Sequence, residues 1–600
     1  MKSALSITKL PALTTENLHG IMAERLTATK NSHTSIPILW QGLLEMDITV
    51  GPSIRTAKLY VPKDTPQGST FVFLNVPEGK DSVSFLEESG WIDCADRYQL
   101  PIFAAESGVC GWKSPAEEQA YIDACIQTLF SGIYIRAGMS VYVVGYSSIG
   151  TCLHRYVLNT PLRVAAAVFV NASELEDSWL EEAKAASLDG SGMTFDIPRR
   201  DIPVPVWIRE ETVGPQAQKA AVHWLHAILA ANPDMDPILG TVCHQTRESV
   251  CTPDGPIAKV CIKEGVVCVS DTESTEAIVC FLRQYARYNK FGPYGNALVR
   301  CIDYEKKGVD VRYFPDQNGD LRECLVYVPK GFTGNLPLVF AIHGSSESVR
   351  NYLEESLWCR KADKEGFIVV IPETALYEMP HELSGGTPMA YRPRWKVCTM
   401  DFAEATEDAR DDLEYLDRVL ASVITEYPVD EGRIYCTGHS NGYMMASYLA
   451  SSAVGRRFAA VAVTSGVTSV WDSAGTERIP IYMTMGEFDL WSHDIHAENS
   501  MTLGIDLWLV RNGFASKETA RDIRVSGASK TFTIGRHHCR QWNDRNGIPM
   551  IRYDWIRMKD HMNTSDENNM FWDQWFSKWT LDKEKGRCYE GTPIREGSKT

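Results

Sequence analysis

The sequence predicts two tandem α/β domains, each a mostly parallel, doubly wound sheet with helices on both faces. Three observations lead there. Short apolar strand-like runs alternate with amphipathic helical stretches, the pattern of parallel strands joined by crossover helices. The same succession of runs occurs twice in one order. And 600 residues are more than a single hydrophobic core organises, so two or more domains are expected.

The repeat is legible residue by residue. Leu59-Tyr60-Val61-Pro62-Lys63 returns as Val326-Tyr327-Val328-Pro329-Lys330, an offset of 267 (330 − 63). Phe71-Val72-Phe73 matches Leu338-Val339-Phe340, Leu86–Ser89 matches Leu353–Ser356, and Glu106 matches Glu373, all at that offset. Val141–Ser147 then lies over Ile434–Ser440, and Arg163–Val170 over Arg457–Val463, where the offset is 294 (457 − 163).

In chain order, 1–35 is a polar N-terminal extension, and 36–295 is the first domain, opening on edge-strand runs at Ile36–Trp40 and Met46–Val50. Turn residues in Tyr288–Gly295 mark the boundary, 296–582 is the second domain, and 583–600 is a polar tail. In the second domain strands are expected at Leu338–Ile342, Phe367–Ile371, Ile434–Thr437, Ala459–Val463, Pro480–Met485 and Tyr553–Met558. Helices are expected over Asp401–Glu426 and Asn568–Trp579.

Hydrophobic residues make up 44% and charged residues 23%, ordinary for a globular chain. A net charge of −17 argues against a nucleic-acid partner, which needs a basic surface. Sixteen cysteines are scattered without a C-x-x-C pair, and read as buried hydrophobes or free thiols. No apolar run approaches a membrane span, and Met1 to Gly20 lacks the apolar core of a signal peptide. These features together predict a cytoplasmic protein with no membrane partner.

Chemistry concentrates at Gly438-His439-Ser440-Asn441-Gly442, a G-x-S-x-G between an apolar strand and a helical run. A nucleophilic serine needs such a strained turn to expose its Oγ, and flanking side chains would collide with strand and helix. A serine also needs a base, and a base needs an acid to orient it. Asp489 follows the strand Ile479–Met485 and is the expected acid, with Glu487 and Asp494 as substitutes. His561, after the late strand Tyr553–Met558, is the expected base; His493, His496, His537 and His538 compete. His537-His538-Cys539 has no fourth ligand at usual spacing, so no metal is expected, and no cofactor. The main-chain N–H of Asn441 and the turn at Gly344-Ser345 are the expected oxyanion donors. His343, His439, Tyr443 and Trp491 neighbour these residues as candidate substrate contacts. The segment 375–400 is the expected cover, and its Tyr391, Arg392, Arg394 and Trp395 are further candidate contacts, suited to an aromatic or carboxylate-bearing substrate.

These residues resemble the polyhydroxybutyrate depolymerase and feruloyl esterase branch of the α/β-hydrolases. The resemblance rests on Leu338–Gly344, Tyr427–Tyr435, Gly438–Gly442, Phe458–Ala460 and Trp542–Met550 leading to His561. It implies two tandem α/β-hydrolase-like domains, and in the second a serine esterase with Ser440 as nucleophile, Asp489 as acid and His561 as base. Two positions depart from the family pattern: Tyr443 stands where a second glycine is usual, and Met558-Lys559-Asp560 replaces a glycine-rich lead-in. The first copy keeps Ser147 but has Ile149 where the second copy has Gly442, and Val76-Pro77 opposite His343-Gly344. Gly214 stands opposite Asp489, and 266–272 holds no histidine. A degenerate first copy is expected, serving as scaffold or homo-oligomer contact, with His223, His226 and His244 as the other base candidates. Soluble small or oligomeric esters are the expected substrates. Amide hydrolysis or acyl transfer would use the same residues, and a non-catalytic binding protein is the alternative from another class.

Overall fold

The computed structural model describes the chain apart from residues 1–4, 15, 30–37, 66–68, 131–139, 173, 189–193, 231–250, 253–254, 257–259, 267, 270, 289–296, 379–390, 398–410, 469–477 and 595–600. Two compact units emerge, one over Met1–Cys301 and the other over Ile302–Leu383 and Tyr391–Thr600. Each is built on one large sheet flanked by helices, so the chain comprises two tandem α/β-hydrolase-like domains.

The second unit carries ten strands, in the spatial order Val309–Pro315, Leu321–Tyr327, Ile368–Pro372, Leu336–Ile342, Val429–His439, Ala460–Thr464, Ile481–Gly486, Pro549–Ile556, His537–Asn543 and Lys530–Ile534. The six from Ile368–Pro372 to Pro549–Ile556 run parallel, and antiparallel strands close both edges. Every residue of Leu336–Ile342 and of Ala460–Thr464 is buried, as a sheet covered on both faces requires, which is why these strands read as unbroken apolar runs. The helix expected over 401–426 is described from Asp412 to Glu426, with Asp411 capping it through the N–H groups of Leu413 and Glu414.

The first unit repeats this order with nine strands, from Ile7–Lys9 through Gly42–Val50, Ser53–Val61, Ile102–Ala105, Phe71–Asn75, Val141–Tyr146, Val164–Val170 and Val206–Glu210 to Val260–Glu264. Register is repeated as well. Tyr60 faces Ile102 as Tyr327 faces Val369, and Phe73 faces Val143 as Phe340 faces Cys436.

Both chain ends differ from their sequence reading. Ile7–Lys9 adds a parallel edge strand to the first sheet. At the other end Trp579–Asp582, Gly586–Tyr589 and Thr592–Pro593 form a small sheet, where a polar tail was expected from 583. The physical reason is Arg587, buried and donating to the carbonyls of Gly455, Phe458 and Arg478. Three backbone acceptors satisfy a guanidinium that composition alone marks as surface.

Candidate active site

The strand Val429–His439 delivers the chain to Ser440, whose φ of 56° and ψ of −119° lie where a side chain is rarely tolerated, before the helix Asn441–Ser451 leaves. The flanking glycines make the turn possible. A Cβ on Gly438 would sit 2.1 Å from the Gly442 carbonyl oxygen, and one on Gly442 would sit 2.1 Å from that of Ile342. Tyr443 leaves this geometry undisturbed, because its side chain packs into the core with its hydroxyl 3.3 Å from Thr468 Oγ1. The room comes from Gly466, where a Cβ would lie 2.6 Å from that of Tyr443.

Three distant points of the chain converge on the turn. His561 Nε2 lies 2.8 Å from Ser440 Oγ, and His561 Nδ1 lies 2.7 Å from Asp489 Oδ1. Both His561 and the Asp489 carboxylate are buried. Burial opposes the charge of Asp489, yet the His561 ring and the Lys559 ammonium outweigh it and hold the carboxyl far below its ordinary range. The lead-in to His561 does without glycine: Met558 itself adopts φ 51°, held by its N–H donating to Glu487 at 2.8 Å and its carbonyl accepting from Arg536 at 3.0 Å.

The competing residues lie elsewhere. His537 sits between Asp554 (3.3 Å) and Asp566 (3.2 Å), which overcome its burial and raise its pKa to about 9. His538 stacks on Trp555, and His493 packs against the same ring. The main-chain N–H of His496 donates to Asp494. Among the described residues no group of three or more His, Cys, Asp or Glu could hold a metal ion.

Of the two oxyanion-donor candidates in the first loop, Gly344 is excluded as a donor, because its N–H donates to Glu347 Oε2 at 2.7 Å. Among the described residues, no hydrogen bond within the protein engages the main-chain N–H of Ser345 or of Asn441. The loop is braced from several sides. Ser346, at φ 63°, donates its N–H to Pro393, and Trp395 donates its indole N–H to His343. The Trp395 main-chain N–H donates to Asn441 Oδ1 at 2.6 Å. His343 Nε2 lies 2.9 Å from Glu373, and His439 Nδ1 lies 3.1 Å from Glu347, all four residues buried. Burial works against charge on His343, but Glu373 and Glu347 raise its pKa.

His343, His439, Tyr443 and Trp395 therefore form the frame around the serine rather than an exposed substrate surface. Trp491 is half-buried with its ring 5.4 Å from that of His561, and Arg394 is half-buried. The side chains of Tyr391 and Arg392 fall outside the described residues, as do His381, Gly385 and Gly386 of the expected cover at 375–400. Sequence reasoning missed Glu347, Lys559 and Glu567. Lys559 is fully buried, donating to Thr464 and Ser465 with Glu567 Oε1 at 3.4 Å. The contacts that tie them to the site cross long stretches of sequence, Glu347 to His439, Lys559 to Ser465 and Glu567 to Thr464, so no local pattern marks that role; Glu373 alone was signalled, by the repeat.

In the first unit Ser147 also adopts φ 56°. The second glycine of its turn stands one residue later, at Gly150, where a Cβ would lie 2.5 Å from the Gly145 carbonyl carbon. No described histidine reaches Ser147. His154 is buried between Ala172 and Trp224, burial pushing its pKa down to about 3, and His226 pairs with Asp201. His223 packs edge-on to Trp224, and His244 falls outside the described residues.

No family model matches the chain. Among curated proteins it is similar to the bifunctional acetylxylan esterase/xylanase XynS20E of Neocallimastix patriciarum, 28% identical over 173 residues, 29% of this chain and 22% of the relative. It is also similar to acetylxylan esterase A of Talaromyces purpureogenus, 25% identical over 224 residues, 36% of this chain and 52% of the relative. The chain thus spans from about a fifth to about half of these relatives. Among solved structures, an acetyl xylan esterase from Aspergillus awamori aligns at 17% identity over 45% of this chain and 99% of its own, with a TM-score of 0.31. A poly(3-hydroxybutyrate) depolymerase from Bordetella parapertussis aligns at 18% identity over 46% and 93%, with a TM-score of 0.28.

The cytoplasmic location expected from the sequence is corrected by these relatives. Xylan, the polymer in their names, is a polysaccharide too large to cross a membrane, so enzymes acting on it work outside the cell. Among the described residues no helix is long and apolar enough to cross a membrane. With its two helix-flanked sheets and these relatives, the chain is an α/β-hydrolase-fold protein related to the acetylxylan esterases and carrying the fold twice.

Proposed function

We propose that the second domain is a serine esterase acting through an acyl-enzyme, with Ser440 as nucleophile, His561 as base and Asp489 as acid. The observation that carries this reading is the continuous Ser440–His561–Asp489 relay at 2.8 and 2.7 Å, starting from a serine held at positive φ. Ser440 Oγ attacks the ester carbonyl while His561 Nε2 takes its proton, and Asp489 fixes the ring and offsets the imidazolium charge. The N–H groups of Ser345 and Asn441 receive the oxyanion, each such donor being worth about 3 kcal/mol of barrier. His561 returns the proton to the departing alcohol. Water then enters by the same route and releases the acid.

The names of the relatives favour acetyl esters of carbohydrates, in small or oligomeric form, as the substrate class. The first domain, in which no described histidine reaches Ser147, serves as a non-catalytic scaffold, the division falling near 295. A fluorophosphonate probe tests the assignment. Label is expected on the parent and on Ser147→Ala, and none on Ser440→Ala; label that persists in Ser440→Ala refutes the nucleophile. A panel of acetyl-sugar, feruloyl, aryl and 3-hydroxybutyrate esters then ranks the acyl and alcohol parts. Parental rates in His561→Ala would remove it as the base.

A further inference from the structure

We infer that Glu347 is a positioning residue that sets the spacing of the oxyanion donors, by tying the loop that carries Ser345 to the turn that carries Ser440. The inference rests on the esterase reading above. Glu347 is buried and uses both carboxylate oxygens, Oε2 accepting the Gly344 N–H at 2.7 Å and Oε1 lying 3.1 Å from His439 Nδ1. Gly344 is immediately before Ser345, and His439 is immediately before Ser440. One planar, rigid carboxylate therefore spans the two segments whose N–H groups must face a single oxygen atom.

Contact around the bridge is close enough to fix it. A Cβ on Gly344 would lie 2.7 Å from Glu347 Oε1 and 3.0 Å from His439 Nδ1, so the loop backbone rests directly on the pair. His439 in turn lies 4.9 Å, ring to ring, from His561. By taking the Gly344 N–H, Glu347 also leaves the Ser345 N–H as the loop's donor toward the serine. A shift of about 1 Å between the two donors is enough to cost roughly 10²-fold in rate, because an oxyanion hole acts only where the charge appears.

The test compares Glu347→Ala and Glu347→Leu, which remove both acceptor oxygens with and without a cavity, against Glu347→Gln, which keeps one. Two quantities are measured on each folded protein: kcat and KM on an aryl acetate, and hydrogen exchange in a peptide covering 343–350. Removal is expected to lower kcat about 10²-fold with KM within about threefold. Exchange in the peptide should rise about tenfold or more, with Gln returning both readouts to within about fivefold of the parent. Parental kcat in Ala or Leu overturns the inference, as does unchanged exchange, or a Gln variant as impaired as the other two. If the parent shows no turnover that depends on Ser440, the esterase reading fails, and the exchange measurement alone decides whether Glu347 ties loop to turn.

Discussion

Gly442→Ala is the sharpest test of how the nucleophile turn is built. The added Cβ would lie 2.1 Å from the Ile342 carbonyl oxygen and 2.5 Å from that of His343, where ordinary contact begins at 3.4 Å. The shortfall is about 1.3 Å against backbone on both sides, so no rotamer change relieves it. The helix start and the loop must part by about 1 Å, and that loop carries Ser345, the proposed oxyanion donor, two residues beyond His343. Overpacking of this kind costs about 1–3 kcal/mol in stability. A displacement near 1 Å costs about 10²-fold in rate. The assay is kcat and KM on an aryl acetate beside a urea unfolding curve, with Gly214→Ala, which meets open space, as the control. The control should stay within about 0.5 kcal/mol of the parent. A folded Gly442→Ala protein with kcat within threefold of the parent refutes the reasoning.

Three further outcomes follow from the site and its frame. Asp489→Asn keeps the shape but leaves His561 without its anion, and kcat should fall about 10⁴-fold with the fold retained, as read by steady-state kinetics and circular dichroism. His537, with its pKa raised to about 9 by Asp554 and Asp566, is protonated in the folded chain at neutral pH. Its contribution is complete below its ordinary value near 6.5 and is lost as pH rises through about 9. It amounts to about 3 kcal/mol, so urea curves from pH 6 to 10 should converge for parent and His537→Gln at the alkaline end. Arg322 is fully buried between Asp316 (3.1 Å) and Asp412 (2.6 Å), and Asp412 also accepts from Tyr377 and from the Lys396 N–H. Arg322→Met strands two buried carboxylates, so chemical denaturation should show a loss of about 3–5 kcal/mol; a loss under 1 kcal/mol would show that the pair contributes specificity alone.

The local features of this protein were legible without coordinates. Strands buried on both faces must be continuously apolar, so the runs Leu338–Ile342 and Ala459–Val463 declared strands that the structure describes over Leu336–Ile342 and Ala460–Thr464, and the repeat of 267 residues pointed to two copies of one fold, whose sheets match in register. Gly438-His439-Ser440-Asn441-Gly442 identified its own turn, because the steric demand is met within five residues. The strands Lys530–Ile534 and His537–Asn543 were missed, since the first is an exposed edge strand and the second, inside it, is half-buried and polar, so neither carries an apolar run.

Tertiary structure decided what depends on meetings across the sheet. That Met558 could take a positive φ without glycine rests on Glu487 and Arg536, and that Tyr443 could replace glycine rests on the space left at Gly466. Which N–H of the first loop remains available was settled by Glu347, whose partner His439 is 92 residues away. A sequence specifies such pairings only through the fold, because a parallel sheet gathers the C-terminal ends of strands that are remote in the chain, and hydrogen bonds form between whatever side chains arrive there.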